Sequence, residues 1–153
     1  MQQEMEKVTY YSFLQEGGDY TETENFIQRF KDHELHGYDF NVIMAVIKEM
    51  GVKKGADIAY FRGETYGEAL PPPYKSGSLR LYCGRYSHNI VILCNGGVKT
   101  SNLAQTSPDC QPHFDLMNAL MKQINERAAE KTLREVNKKL EGNLHFEIGD
   151  CYE

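Results

Sequence analysis

Apolar and polar positions along this chain change rhythm several times, and each change predicts an element. In KVTYYSFL, Lys7 to Leu14, β-branched and aromatic residues crowd together ahead of a QEGGDY turn signal, which predicts a first strand. In TETENFIQRFKDHE, Thr21 or Thr23 can cap a helix whose Phe26, Ile27 and Phe30 share one face. Gly37 interrupts, and Asp39 caps a second helix. Its Val42, Ile43, Val46, Ile47 and Met50 form a wide apolar stripe that ends at Gly51. The pattern therefore predicts a helical hairpin over residues 21 to 50.

The rhythm then turns to that of strands. GADIAYFRGE reads as a strand through about Arg62, and Gly63 to Gly77, with Pro71, Pro72 and Pro73 in series, reads as a loop. In SLRLYCGRYS, Leu79, Leu81 and Cys83 alternate with Arg80, Tyr82 and Gly84, so Arg80 is expected on an open sheet face. NIVILCNGG is apolar on both faces and predicts a central strand. Past Lys99 and a polar link, Met117, Leu120, Met121, Ile124 and Ala128 keep helical spacing, with Leu133, Val136 and Leu140 as a weaker continuation. One long helix from about His113 to Leu140 is predicted, with EGNLHFEIGD as a candidate final strand. The expected fold is α+β: a twisted, mainly antiparallel sheet carrying the helical hairpin and a long C-terminal helix.

Length and composition add limits. The 153 residues suit one domain, and 41% hydrophobic with 25% charged residues describes a globular chain, not a disordered one. No apolar run approaches the roughly 20 residues of a membrane helix, and the start lacks the regions of a signal peptide, so a cytoplasmic protein is expected. Cys83, Cys94, Cys110 and Cys151 show no metal or redox spacing and are expected as reduced thiols. The net charge is -5. Its distribution matters more: residues 1 to 34 hold three cations against eight acids, whereas residues 52 to 101 hold seven against three. The basic middle is a candidate anion-facing surface, though a solvated mixed surface accounts for it equally simply.

Familiar motifs fail on spacing. His33-Glu34-Leu35-His36 places its histidines three apart, where a zinc-binding helix needs four, and no other spacing supports a metal, so none is predicted. Gly96-Gly97 lacks the remainder of a nucleotide-binding loop, and no nucleophile elbow is present. What remains is positive charge among tyrosines: Arg62, Lys75, Arg80, Tyr82, Arg85, Tyr86 and Lys99. Such a set suits a phosphodiester with a base attached, an acidic protein partner, or ordinary surface ion pairs.

The order strand, two helices, basic antiparallel sheet and closing helix resembles the RelE/ParE superfamily of toxins from toxin–antitoxin systems. The likeness is carried by GADIAYFRGE (Gly55 to Glu64), LRLYCGRYS (Leu79 to Ser87) and NIVILCNGGVK (Asn89 to Lys99). It implies a single RelE-like domain over residues 1 to 153, with 131 to 153 a C-terminal extension. It further implies ribosome-dependent, metal-free and cofactor-free cleavage of messenger RNA, with Arg80 and Lys99 as the catalytic cations at the scissile phosphate. Lys75, Tyr82, Arg85 and Arg62 would contact RNA, and Tyr82 or His88 would be candidates for proton transfer. The partners implied are the ribosome, its message and an antitoxin protein of helix-turn-helix type. The other function compatible with this fold is a noncatalytic protein-binding module, ParE-like or a degenerate toxin.

Overall fold

The computed structural model describes residues 2 to 148. It is an α+β protein built on a six-stranded sheet. The chain runs β1 (Gln2–Glu4), β2 (Thr9–Ser12), α1 (Glu22–Phe30), α2 (Gly37–Glu49), β3 (Arg62–Glu64), β4 (Gly67–Leu70), β5 (Leu79–Ser87), β6 (Ile90–Val98), α3 (Gln111–Ala129), β7 (Leu133–Val136) and β8 (Lys139–Gly142). The sheet order is β1-β2-β6-β5-β4-β3, with β7 and β8 forming a separate pair. Every pair is antiparallel except β2 with β6, which run parallel with Thr9 opposite Ile90.

The central position of β6 follows from its side chains. Val91 and Leu93 enter one core, with Phe26, Phe30, Ile43 and Met50 of the helical hairpin. Ile90, Ile92 and Cys94 enter the other, with Phe114, Met117, Leu120 and Ile124 of α3. A strand apolar on both faces thus has a helical layer on each. Helix α1 starts where a cap allows it: the Thr21 hydroxyl accepts from the Glu24 N–H at 3.2 Å, and Glu24 accepts from the Thr21 N–H at 2.8 Å.

Four boundaries differ from the sequence reading. Helix α2 begins at Gly37 with His36 as its N-cap, which leaves Asp39 within the first turn. At its far end the chain continues through a π-helical turn, Met50–Lys54, to Gly55 at φ 76°. Gly51 serves packing instead, since a Cβ there would collide with Met5. Between Ala56 and Glu64, the expected strand is a short 3-10 turn, Ile58–Tyr60, followed by β3. The expected loop contains β4, which a two-residue turn at Thr65 and Tyr66 pairs with β3, Glu64 lying opposite Gly67.

The long C-terminal helix is corrected most. It ends at Ala129, where Lys131 takes φ 62°, and the rest is the β7–β8 hairpin. Asn137 and Lys138 at its turn have φ 51° and 62°, the left-handed pair that a tight two-residue turn requires. Leu133 and Leu140 are buried in the α3-side core. Residues 143 to 148, expected as a strand, form no regular element. Cys151 lies outside the described residues. No helix among the described residues is long and apolar enough to cross a membrane.

Candidate functional site

Alternation along β5 sorts its side chains as expected: Leu79, Leu81 and Cys83 face the helical hairpin, and Tyr82 faces α3. The face carrying Arg80 is not open, however. Helix α3 covers it, and Arg80 is only 8% exposed. One terminal nitrogen of its guanidinium donates to the Gly77 carbonyl at 2.8 Å and the Leu79 carbonyl at 3.1 Å. The Nε has no partner. Among the described residues the ion pairs are Arg29–Asp109, Arg134–Glu141 and Lys139–Glu4, so none neutralises Arg80. A guanidinium so buried rests on its two backbone carbonyls, with no direct ion pair.

Sheet register brings further charges to this face. Arg80 lies opposite Gly97. Two residues on, Lys99 is half-buried and its N–H donates to the Ser78 carbonyl at 2.7 Å. Arg62 lies opposite Ala69, which in turn lies opposite Tyr82, so Arg62 belongs to the same face and Glu64 follows by alternation. Burial pushes the Glu64 carboxyl up, against the opposing charges of Lys99, Arg80 and Arg62. Burial and the like charge of Arg80 push the Arg62 guanidinium down. Glu64 thus feels all three cations, although the registers set it level with Gly84, four residues along β5 from Arg80.

Two glycines make the approach possible. A Cβ at Gly96 would strike the Arg80 carbonyl, and one at Gly97 would strike the Asp109 carbonyl. Asp109 accepts from Arg29 at 2.8 and 3.0 Å and from the Val98 N–H at 2.7 Å, so α1, the end of β6 and the start of α3 are clamped together. The link after Lys99 is folded on Ser107, whose hydroxyl accepts from the Thr100 and Ser101 N–H groups at 3.1 Å each.

The remaining candidates are dispersed. Arg62 is half-buried and donates to the carbonyls of Pro71, Pro72 and Lys75 at 2.8, 3.2 and 2.8 Å, which fixes the proline loop. Lys75 stands exposed on that loop. Arg85 is on the hairpin side, where its Nε donates to the Ala56 carbonyl at 2.5 Å. Tyr82 is fully buried with its ring edge-on to Phe114, and no base can stack on it. Burial and the neighbouring Cys110 thiol push its pKa up. His88 sits at the β5–β6 turn against Gly55, remote from Arg80. Glu64 is the member that the sequence reading missed; ending the strand at Arg62 hid the alternation that pairs them.

Other features point elsewhere. His33 accepts the N–H groups of Leu35 and His36 at 3.1 Å each and so shapes the turn between α1 and α2. Cys83, Cys94 and Cys110 are free and buried, and burial pushes their thiols up. An apolar groove of about 970 Å³ runs along α3 beside Leu116, Leu120 and Ile124, and its lining includes none of the clustered charges. In comparisons with known proteins, no family, no curated protein and no solved structure matches this chain.

Proposed function

We propose that the protein is a RelE-like toxin, a ribosome-dependent mRNA endonuclease held inactive by an antitoxin. The observation that carries this reading is Arg80: a buried guanidinium with an unpartnered Nε and no ion pair, sharing its face with Lys99. A phosphate is an anion that suits such a group, and it would reach the guanidinium once the cover over Arg80 moves aside. The order of two strands, helical hairpin, four antiparallel strands and helix, with a β-hairpin after it, is broadly in keeping with the same reading.

In the reaction, the 2′-hydroxyl of a ribose attacks its own phosphate, and charge grows on the nonbridging oxygens. Arg80 and Lys99 stabilise that charge with no reorganisation at the moment of reaction, an effect worth about 3 kcal/mol for a single well-placed donor. Arg62 acts at a remove by holding the loop that presents Lys75. The test is incubation of the protein with programmed ribosomes, mapping the cut sites in the message. Cleavage is expected to leave a 2′,3′-cyclic phosphate and to vanish when the scissile nucleotide lacks its 2′-hydroxyl. Persistent cleavage of the deoxy substrate contradicts the mechanism.

A second reading, a noncatalytic protein-binding module of the same fold, is favoured by a different observation. Arg62 and Arg85 already spend their donors on backbone carbonyls, as structural cations do. On that reading ribosome-bound message stays intact, while the protein still forms a complex with a small helix-turn-helix partner encoded beside it.

A further inference from the structure

We infer that residues 73 to 77 form a lid over the Arg80 guanidinium, latched by Arg62, which opens before a phosphate reaches it. The inference rests on the phosphate role given to Arg80 above. Pro71 and Pro72 are buried, but residues 73 to 77 stand exposed and belong to no regular element. Their one backbone bond, from the Lys75 N–H to the Pro72 carbonyl at 2.9 Å, stays within the loop. Among the described residues, two hydrogen bonds tie this segment to the strands, and both come from arginines. Arg62 donates to the Lys75 carbonyl at 2.8 Å, and Arg80 donates to the Gly77 carbonyl at 2.8 Å. Arg62 also holds the base of the loop through the Pro71 and Pro72 carbonyls. At the far end the Asp39 carboxylate lies against Gly77, where a Cβ would collide with it.

The chemistry of this latch favours its release by an anion. Its acceptors are neutral carbonyls, whereas phosphate oxygens form charge-assisted bonds about twice as strong. Arg62 and Arg80 also repel one another, a cost that the carbonyls leave in place and a nearby anion relieves. The other cover over Arg80, the head of α3, is clamped through Asp109 to Arg29 and the Val98 N–H. The loop is therefore the part that yields, and it can do so with the β4–β5 pairing intact. While the lid is closed, the apparent affinity for phosphate is reduced by the fraction of molecules that are open.

The experiment follows two readouts on the parent, Arg62→Met and Gly77→Ala, with melting temperatures to establish folding. One is trypsin cleavage after Lys75 in the free protein. The other is binding of a labelled single-stranded 2′-O-methyl oligoribonucleotide, which lacks the hydroxyl needed for cleavage. Arg62→Met removes the latch; Gly77→Ala drives the other end of the loop off Asp39 and decides alone if Arg62→Met fails to fold. Each variant is expected to be cut faster after Lys75 and to bind the oligonucleotide about tenfold more tightly. Adding Arg80→Gln should abolish that gain. Unchanged cutting overturns the lid, as does faster cutting with unchanged or weaker binding, a gain that survives Arg80→Gln, or no binding by any of the proteins. The nuclease reading is judged separately, on ribosome-bound message. A parent that leaves the message intact while the variants gain affinity overturns that reading and keeps the lid; a parent that cuts while the variants gain nothing does the reverse.

Discussion

Arg80 has a structural part in the fold and, on the proposed nuclease reading, a catalytic one, so its substitution should show in two separate measurements. Its hydrogen bonds to Gly77 and Leu79 tie the start of β5 to the loop before it, and its buried Nε has no hydrogen-bond partner. Arg80→Ala should therefore cost about 1–3 kcal/mol of stability, more than a surface change, because buried carbonyl partners lose their donor. On the nuclease reading it should also reduce message cleavage by about a hundredfold. Arg80→Lys keeps the charge without the fork and should fall between. Thermal melts and cleavage assays on the same preparations check both effects. At Gly97 the expectation is purely structural. Alanine there must displace the Asp109 backbone and loosen the clamp to Arg29, for about 1–3 kcal/mol, readable as a lower denaturant midpoint. Which side of β5 Arg80 occupies was legible from its alternation with Leu79 and Leu81. Its burial was not, because an arginine and a tyrosine two apart look like a wet face until a helix is known to cover them.

Among the elements, α3 shows where a periodic pattern misleads. Leu133, Val136 and Leu140 fit a helical stripe, yet the same spacing also suits a hairpin that buries Leu133 and Leu140 against α3. The deciding signals are backbone ones. Thr132 donates to the Arg127 carbonyl at 3.0 Å and Lys131 to that of Ala128 at 3.2 Å, a paired closure that puts Lys131 in the left-handed region. Lysine is a poor marker of such a stop. Lys131→Gly should raise stability by about 1 kcal/mol, seen as a higher melting temperature, because glycine meets that φ without strain. The helical hairpin was easier to read, since a threonine cap at Thr21 or Thr23 and the apolar stripe of α2 agree with each other, and the structure settles the cap on Thr21. In the candidate site, Arg80 and Lys99 were legible from their strands, whereas Glu64 needed the β3–β4 pairing.

For the molecule as a whole, acid should act through His113, which faces Glu22 and Arg29 of α1 and Asp109 at the head of its own helix. Burial pushes its pKa below the ordinary 6.5, so the folded protein favours the neutral ring more than the unfolded chain does. Its contribution to stability is then complete above that ordinary value and is lost as pH falls through it toward the folded value. Urea melts across this range should show the parent weakening on acidification and His113→Gln weakening less; equal slopes would count against it. The parallel pairing of β2 with β6 has a temporal consequence as well. Residue 9 meets residue 90, and the clamp from Arg29 to Asp109 spans 80 positions. Contacts of such separation close late and slowly. During synthesis the helical hairpin can emerge and form first, but the centre of the sheet must wait for β6, and Arg80 and Lys99 lack their final setting until the head of α3 has left the ribosome. On the nuclease reading proposed above, a nascent chain would consequently be harmless to the machine that makes it for most of its own translation.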